Sequence, residues 1–275
     1  MSNSVSAIAG AFTAQHVNLR RGNNQVLTDV SLSLSPAECV AVVGPNGAGK
    51  SSLLKIFSGD LVPQSGEVIL DGIPVKKQNR GDIARWRAVL PQHSELLFPF
   101  PVRDVVSMGR SPHHDGIETL EDRRIVEEAM VATDVLQFQD RRYDQLSGGE
   151  RQRVQLARVM AQVWPGTEDH GGFLLLDEPT SGLDLSHQHG FLQTARRFAH
   201  AGVGVLVVLH DLNLAMQYAD RVMVLYHGHG VACDVPEKAL IPELIREVFD
   251  VEVQMFKQAM FPHSLLQYGV KKKQP

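Results

Sequence analysis

Apolar and polar residues alternate along Phe12–Leu19 and again through Val30, Leu32 and Leu34. A period of two marks strands buried on one face, and Gly22-Asn23-Asn24 between the two stretches reads as their turn. Cys39–Val43 is apolar at every position, as a strand covered on both faces would be. It runs into a glycine-rich turn and then Lys50–Ser58, where Leu53, Leu54 and Phe57 share one side of a helix. Gly59 takes the glycine position at that helix's C-terminus. Val68–Leu70, Ala88–Leu90, Phe173–Leu176 and Gly204–Leu209 predict further short strands. Strands alternating with helical stretches predict an α/β fold, a largely parallel sheet with helices against it.

Between 94 and 145 the texture changes. Pro99, Pro101 and Pro112 break up its beginning, and Leu120–Thr133 follows with Ile125, Ala129 and Ala132 at helical spacing. This segment reads as a helical insertion dividing the α/β core into 1–93 and 146–236, with 237–275 as a C-terminal extension. The extension ends in Lys271-Lys272-Lys273, which reads as a solvated terminus. No internal repeat, coiled-coil heptad or low-complexity segment interrupts this plan.

Composition adds exclusions. A chain of 275 residues, 43% hydrophobic and 21% charged, is ordinary for a soluble protein that buries its own core. Cys39 and Cys233 lie far apart in apolar stretches and are expected as small core residues of a reduced compartment. A net charge of −4 gives no electrostatic reason to expect nucleic acid as a partner. The longest apolar run, Gly202–Leu209, falls far short of the roughly 20 residues of a spanning helix. Residues 1–14 lack the pattern of a signal peptide. The expected location is cytosolic, unless another protein holds the chain at a membrane.

Gly44-Pro45-Asn46-Gly47-Ala48-Gly49-Lys50-Ser51 fits G-x-x-x-x-G-K-[ST] without a mismatch. The glycines let backbone N–H groups curl around phosphate oxygens, and the following helix adds its positive dipole end. Lys50 can reach the β- and γ-phosphates, and the Ser51 hydroxyl can ligate Mg²⁺. A chance glycine-rich turn would lack both the strand before it and the helix after it. Phe173–Leu176 ends in Asp177-Glu178, and ionised carboxylates closing a buried strand are costly without a partner. In a phosphate-loop protein Asp177 would hold the Mg²⁺ sphere, and Glu178 would polarise a water for in-line attack on the γ-phosphorus. Leu146-Ser147-Gly148-Gly149-Glu150 opens a helix running to about Val163. Ser147 and Glu150 have the spacing of a capping box, but capping does not require two glycines between them. Those glycines expose N–H groups at a positively polarised helix start, a second anion site.

These three motifs, in this order, resemble the nucleotide-binding subunit of ABC transporters over about residues 12–250. The resemblance implies the P-loop NTPase fold of ABC ATPases: a RecA-like core, an antiparallel β subdomain and an inserted α-helical subdomain. It gives ATP to the loop Gly44–Ser51 and to Ser52. Gln92 matches the Q-loop glutamine, assigned to Mg²⁺ with Ser51 and Asp177 and to communication with the membrane subunit. Ser181-Gly182-Leu183-Asp184 resembles the D-loop that crosses the dimer interface. His210, which alone would read as a satisfied core histidine, matches the switch histidine that contacts the γ-phosphate. Catalysis then falls to Glu178, His210 and Lys50. In this family two subunits pack head to tail, so Ser147, Gly148, Gly149, Glu150 and Asp184 would serve the partner's ATP. A homodimer is implied, and a monomer should hydrolyse poorly. Two positions depart from the pattern. The aromatic residue that stacks on adenine is replaced by Arg21, whose guanidinium plane can also stack, or lie solvated in the turn. Trp164–Gly172 lengthens the segment before the acidic pair and is expected as a surface loop.

Phe98–His113 resembles the segment after the Q-loop in ATPases of iron–siderophore, cobalamin and haem importers, and Leu240–Phe249 is similar to their tails. The Trp-containing loop and Asp184-Leu185-Ser186-His187-Gln188-His189 are most similar to haemin-import subunits of the HmuV family. The implied assembly is two copies on the cytoplasmic face of a bacterial inner membrane, bound to two permease subunits. A periplasmic binding protein would deliver haemin. The same role in a ferric-siderophore or cobalamin importer is the alternative. The stretch Phe98–Arg110 is expected to dock on the permease through apolar residues including Val105 and Met108. His113, His114, His187 and His189 read as solvated or interface residues, not haem ligands. An ABC protein of translation or DNA repair would need a second cassette or a long coiled coil, and a GTPase an Asn-Lys-x-Asp reader. The sequence has none of these. A non-enzymatic haem-binding protein is the remaining rival, and it would bind haem without hydrolysing ATP.

Overall fold

The computed structural model describes residues 10–92, 98–166, 171–256 and 264–269. The first alternating stretches form an antiparallel hairpin, β1 (Phe12–Arg21) and β2 (Asn24–Leu34), with Phe12, Val17, Leu27, Val30 and Leu34 on its buried face. β3 (Cys39–Val43) is buried at every position between parallel neighbours, so no polar residue interrupts it. α1 (Lys50–Phe57) packs Leu53, Leu54 and Phe57 into the same core as the hairpin. Gly59, φ 74°, follows its C-cap in the left-handed region. β4 (Ser65–Leu70) and β5 (Ile73–Pro74) complete an antiparallel sheet in the order β2-β1-β4-β5. α2 (Arg80–Trp86), whose Gly81 N–H donates to the capping Asn79 Oδ1 at 3.0 Å, leads into β6 (Arg87–Leu90).

Three helices then build a smaller core. Val102, Val105 and Val106 of α3 (Val102–Ser107) meet Ile125 and Met130 of α4 (Leu120–Ala132) and Val154 and Ala157 of α5 (Gly148–Gln162). α5 serves both cores, because Leu156, Val159 and Met160 pack into the main one. A buried ion pair pins the insertion together: Arg110 donates from Nε to Asp122 Oδ1 and from Nη1 to the Ala161 carbonyl, each at 2.8 Å. Burial pushes the Asp122 carboxyl up, but hydrogen bonds from Thr119 and Arg110 outweigh it and hold it at about 2. The docking expectation needs correcting at Val105, which is fully buried; Val102 and Val105 are one helical turn apart and share the inward face of α3. The exposed apolar residue of this stretch is Phe98, at 67%.

β7 (Phe173–Asp177), α6 (Leu185–His200), β8 (Gly204–Val208) and α7 (Leu212–Tyr218) continue the alternation. The sequence predicts no strand beyond Leu209, yet the sheet gains β9 (Arg221–Tyr226) and β10 (His229–Asp234). Its order is β10-β9-β3-β8-β7-β6, parallel except where β10 runs against β9. Most of β10 is exposed at the sheet edge, so no buried face imprints a period on it. This also corrects Cys233. Cys39 is buried, its thiol pushed up to about 12 by desolvation and then by the Asp220 charge, but Cys233 is exposed on β10 beside Arg221, whose Nη2 donates to Sγ at 3.3 Å. Trp164 is a correction too: it is half-buried, its ring 5.6 Å from that of Phe198, while 167–170 lie outside the described residues. α8 (Pro236–Ala239), α9 (Pro242–Phe249) and the antiparallel pair β11 (Glu252–Phe256) and β12 (Leu265–Gly269) follow. Val253 and Leu266 add to the main core, and Lys271–Lys273 lie outside the described residues. The C-terminal ends of the adjacent strands β3, β8 and β7 therefore open side by side, where α/β sheets bind their ligands.

Candidate functional site

The phosphate loop leaves β3 under tight packing. A Cβ on Gly44 would run into the Leu225 carbonyl oxygen, and one on Gly49, φ 105°, would stand 2.6 Å from Leu27 Cδ2. Asn46 and Gly47 are exposed at the tip, whereas Ala48 and Ser52 are buried. Lys50 begins α1 and is buried, with Nζ donating to the Gly44 and Pro45 carbonyls at 2.9 and 3.0 Å. Burial holds its pKa below the ordinary lysine value, while the Glu178 and Asp177 carboxylates pull the other way. Ser51 Oγ donates to Asp177 Oδ1 at 3.0 Å. The Asp177 carboxyl is pushed up by burial and by the Glu178 charge, against the pull of the Ser51 bond.

Consecutive strand residues face opposite sides of a sheet, so Asp177 and Glu178 could not both face the loop if β7 continued. It stops at Asp177, and Glu178 takes φ 50°, a left-handed conformation that costs a non-glycine residue about 1–3 kcal/mol. Its carboxylate is then gripped at both oxygens. Gln92 Nε2, just past β6, donates to Oε2 at 2.6 Å, and His210 Nε2, just past β8, lies 2.7 Å from Oε1. Three neighbouring strand ends converge on one acid.

Ser147 caps α5 in a reciprocal box, its Oγ accepting the Glu150 N–H at 3.3 Å and Glu150 Oε2 accepting the Ser147 N–H at 2.7 Å. A Cβ on Gly148 would meet no atom within 4 Å among the described residues, and one on Gly149 would only reach ordinary contact with His187 at 3.7 Å. Asp184 is engaged within its own helix: it caps α6, accepting from His187 N at 2.9 Å and meeting His187 Nδ1 at 2.8 Å. Arg21 stands exposed at the hairpin turn, whose strand β2 approaches the loop through Leu27. Gln152, unmarked in the sequence, ties α5 to the segment after β7 by donating to the Pro179 carbonyl at 2.9 Å. His113 meets the Gln162 carbonyl at 2.7 Å, His189 the Tyr218 hydroxyl at 2.8 Å, and His114 accepts the Gly116 N–H at 3.1 Å. Among the described residues, no group of three or more His, Cys, Asp or Glu could hold a metal ion on its own.

The sequence model of the ABC transporter family matches residues 27–181, from β2 through the acidic pair to Ser181. The chain is 50% identical over 237 residues to the Hemin import ATP-binding protein HmuV of Pseudomonas entomophila (strain L48), covering 86% of this chain and 91% of that one. It superposes on a metal-chelate type ABC transporter in an inward-facing conformation with a TM-score of 0.80, at 23% identity, over 96% of this chain and 99% of that one. A bacterial ABC transporter cassette solved as a dimer gives a TM-score of 0.70 at 26% identity, over 82% of this chain and 99% of that one. With the phosphate loop, the acidic pair and the capped glycine motif all in place, the chain belongs to the ABC transporter family, as an ATP-binding subunit.

Proposed function

We propose that this chain binds and hydrolyses ATP to drive uptake of haemin. The observation that carries the hydrolytic reading is the grip on Glu178, a carboxylate oriented at both oxygens by Gln92 and His210 beside the Ser51–Asp177 pair. Glu178 is the base toward the attacking water. Lys50 exchanges the Gly44 and Pro45 carbonyls for phosphate oxygens when nucleotide enters. Ser51 and Asp177 suit Mg²⁺: both offer oxygen, and burial makes the ionised Asp177 carboxylate costly unless a cation joins it. Bound there, the ion supplies charge stabilisation for phosphoryl transfer, and its remaining ligands come from water and phosphate.

The open start of α5 supports a second copy completing each site, with Ser147, Gly148 and Gly149 turned to the partner's nucleotide. No helix among the described residues is long and apolar enough to cross a membrane, so two permease subunits hold the dimer at the cytoplasmic face, supplied by a periplasmic binding protein. Haemin is favoured over a ferric siderophore or cobalamin by the name of the relative at 50% identity. Two measurements test the reading. Glu178→Gln should bind ATP, accumulate as a nucleotide-bound dimer and turn over about 10²–10⁴ times more slowly; normal turnover would remove Glu178 as the base. Deleting the gene should abolish growth on haemin as sole iron source, and growth lost on a siderophore or cobalamin instead would move the chain to the alternative importer.

A further inference from the structure

The C-terminal hairpin reaches the catalytic side of the sheet. α7 begins two residues after His210, and Asp211 caps it by accepting the N–H groups of Asn213 and Leu214 at 2.7 and 3.2 Å. The Asn213 side chain is clasped by a residue 53 positions further on: Nδ2 donates to the Leu266 carbonyl at 3.1 Å, and Oδ1 accepts the Leu266 N–H at 2.8 Å. One amide thus satisfies both backbone groups of a strand residue, in place of a neighbouring strand. Leu266 is buried in the main core with Leu214 and Ala215 of α7. On the same strand, the Tyr268 hydroxyl feels the start of α7: burial and then the Asp211 charge push it up to about 12, against the pull of the Leu212 backbone. α7 has seven residues, well under the about 12–15 at which a helix begins to hold itself. Its placement is therefore set by what grips it, and β12 grips its first turn.

We propose that Asn213 is a positioning residue for ATP hydrolysis: the clasp to β12 fixes the start of α7 and so seats the His210 imidazole on Glu178. The inference rests on the hydrolytic role of Glu178 and His210 given above. It makes the C-terminal extension a handle on the reaction, because a contact that lifts β12 releases His210 without touching nucleotide. Apolar burial of Val253 and Leu266 already anchors the hairpin. The amide pair, three residues from His210, adds direction to that anchoring.

The test compares full chains carrying Asn213→Ala, Tyr268→Phe and Val253→Ala by ATP turnover, thermal midpoint and the ¹⁵N resonances of the His210 ring. Asn213→Ala should lower kcat about tenfold or more, since small misplacements of catalytic groups carry such penalties, with KM for ATP little changed and the His210 resonances shifted. Tyr268→Phe, at a half-exposed residue the fold tolerates, should give a smaller fall in the same parameter. Val253→Ala should lower the midpoint while keeping kcat and the His210 signals. Unchanged kcat in Asn213→Ala, or an equal fall in Val253→Ala, would overturn the positioning role. Absence of hydrolysis by the wild-type chain would instead sink the hydrolytic reading, and the His210 resonances would then judge the clasp.

Discussion

α1 starts behind Gly49 and α5 starts on Gly148 and Gly149, and both offer N–H groups at a positive helix end, yet they are built in opposite ways. At the start of α1 the glycines are pressed by the chain itself: Gly44 lies against the Leu225 carbonyl and Gly49 against Leu27. The polar side chains there are engaged within the chain as well, Lys50 by its own loop and Ser51 by Asp177. At the start of α5, a Cβ on Gly148 would meet nothing within 4 Å among the described residues, and Ser147 and Glu150 cap one another. The first pair of glycines is therefore explained by this chain's packing. Gly148 has no such explanation among the described residues; under the function proposed above, what is brought to it is a phosphate carried on a second subunit.

Matched substitutions can break that comparison, and they carry the largest expected effect. Gly49→Val forces a side chain onto Leu27 at φ 105°, a backbone conformation that β-branched residues reject. It should yield a chain that fails to fold, read by far-UV circular dichroism and solubility. Gly148→Val should fold and bind ATP at its own loop, because nothing within 4 Å of the added Cβ resists it among the described residues. Its turnover should nonetheless fall about 100-fold or more: the backbone N–H stays, but the new side chain holds the partner's phosphate away from it, and a donor lost to a developing oxyanion carries that penalty. If Gly148→Val hydrolysed ATP normally, the open helix start would not be half of a shared site.

The same contrast governs what the residues made legible. The loop at Gly44–Ser51 and the acids at Asp177-Glu178 are local patterns, each an apolar run ending in special chemistry, and both stand where the spacing predicts. Gln92 and His210 can be named one by one, but their convergence on Glu178 depends on the order β6-β7-β8, which no spacing encodes. β10 and Cys233 escape because an edge strand carries no buried period. Val105 misleads because a short proline-flanked stretch gives too few turns to show which face is inward. Asn213 has no signal at all, since its partner lies 53 residues away.

A second prediction, smaller in consequence for hydrolysis, sharpens the role of the insertion that presents α5. Removing one partner of the buried Arg110–Asp122 pair leaves the other charge uncompensated, so Arg110→Ala should cost about 3–5 kcal/mol in denaturant unfolding. ATP binding at the distant loop should persist in the fraction that stays folded. The pair also fixes a pH signature. Asp122 sits at about 2 against an ordinary 3.8, so the unfolded chain binds the proton first. The stability it contributes is complete above 3.8 and is lost as pH falls through about 2.

Asp177 should show the opposite sign, with the smallest effect of the three. Burial, the largest influence, raises its carboxyl above the ordinary 3.8, and the Glu178 charge adds to this against the Ser51 hydrogen bond. The folded chain then holds the proton to higher pH than the unfolded chain does, so stability declines as pH rises from 3.8 through the raised value. Above that raised value the ionised carboxylate is a standing cost that a cation would relieve. Asp177→Asn should therefore raise the nucleotide-free thermal midpoint slightly at pH above that raised value and flatten the fall that begins at about 3.8. It should at the same time lose most of the stabilisation that Mg²⁺ and ATP together confer on the wild type, because ligand binding to the folded state is what raises that midpoint. Thermal unfolding of both chains across this pH range, with and without Mg²⁺ and ATP, reads both effects. A lower nucleotide-free midpoint in Asp177→Asn would mean that the bond from Ser51 outweighs burial, and that the start of α1 is as self-satisfied as the ion pair in the insertion.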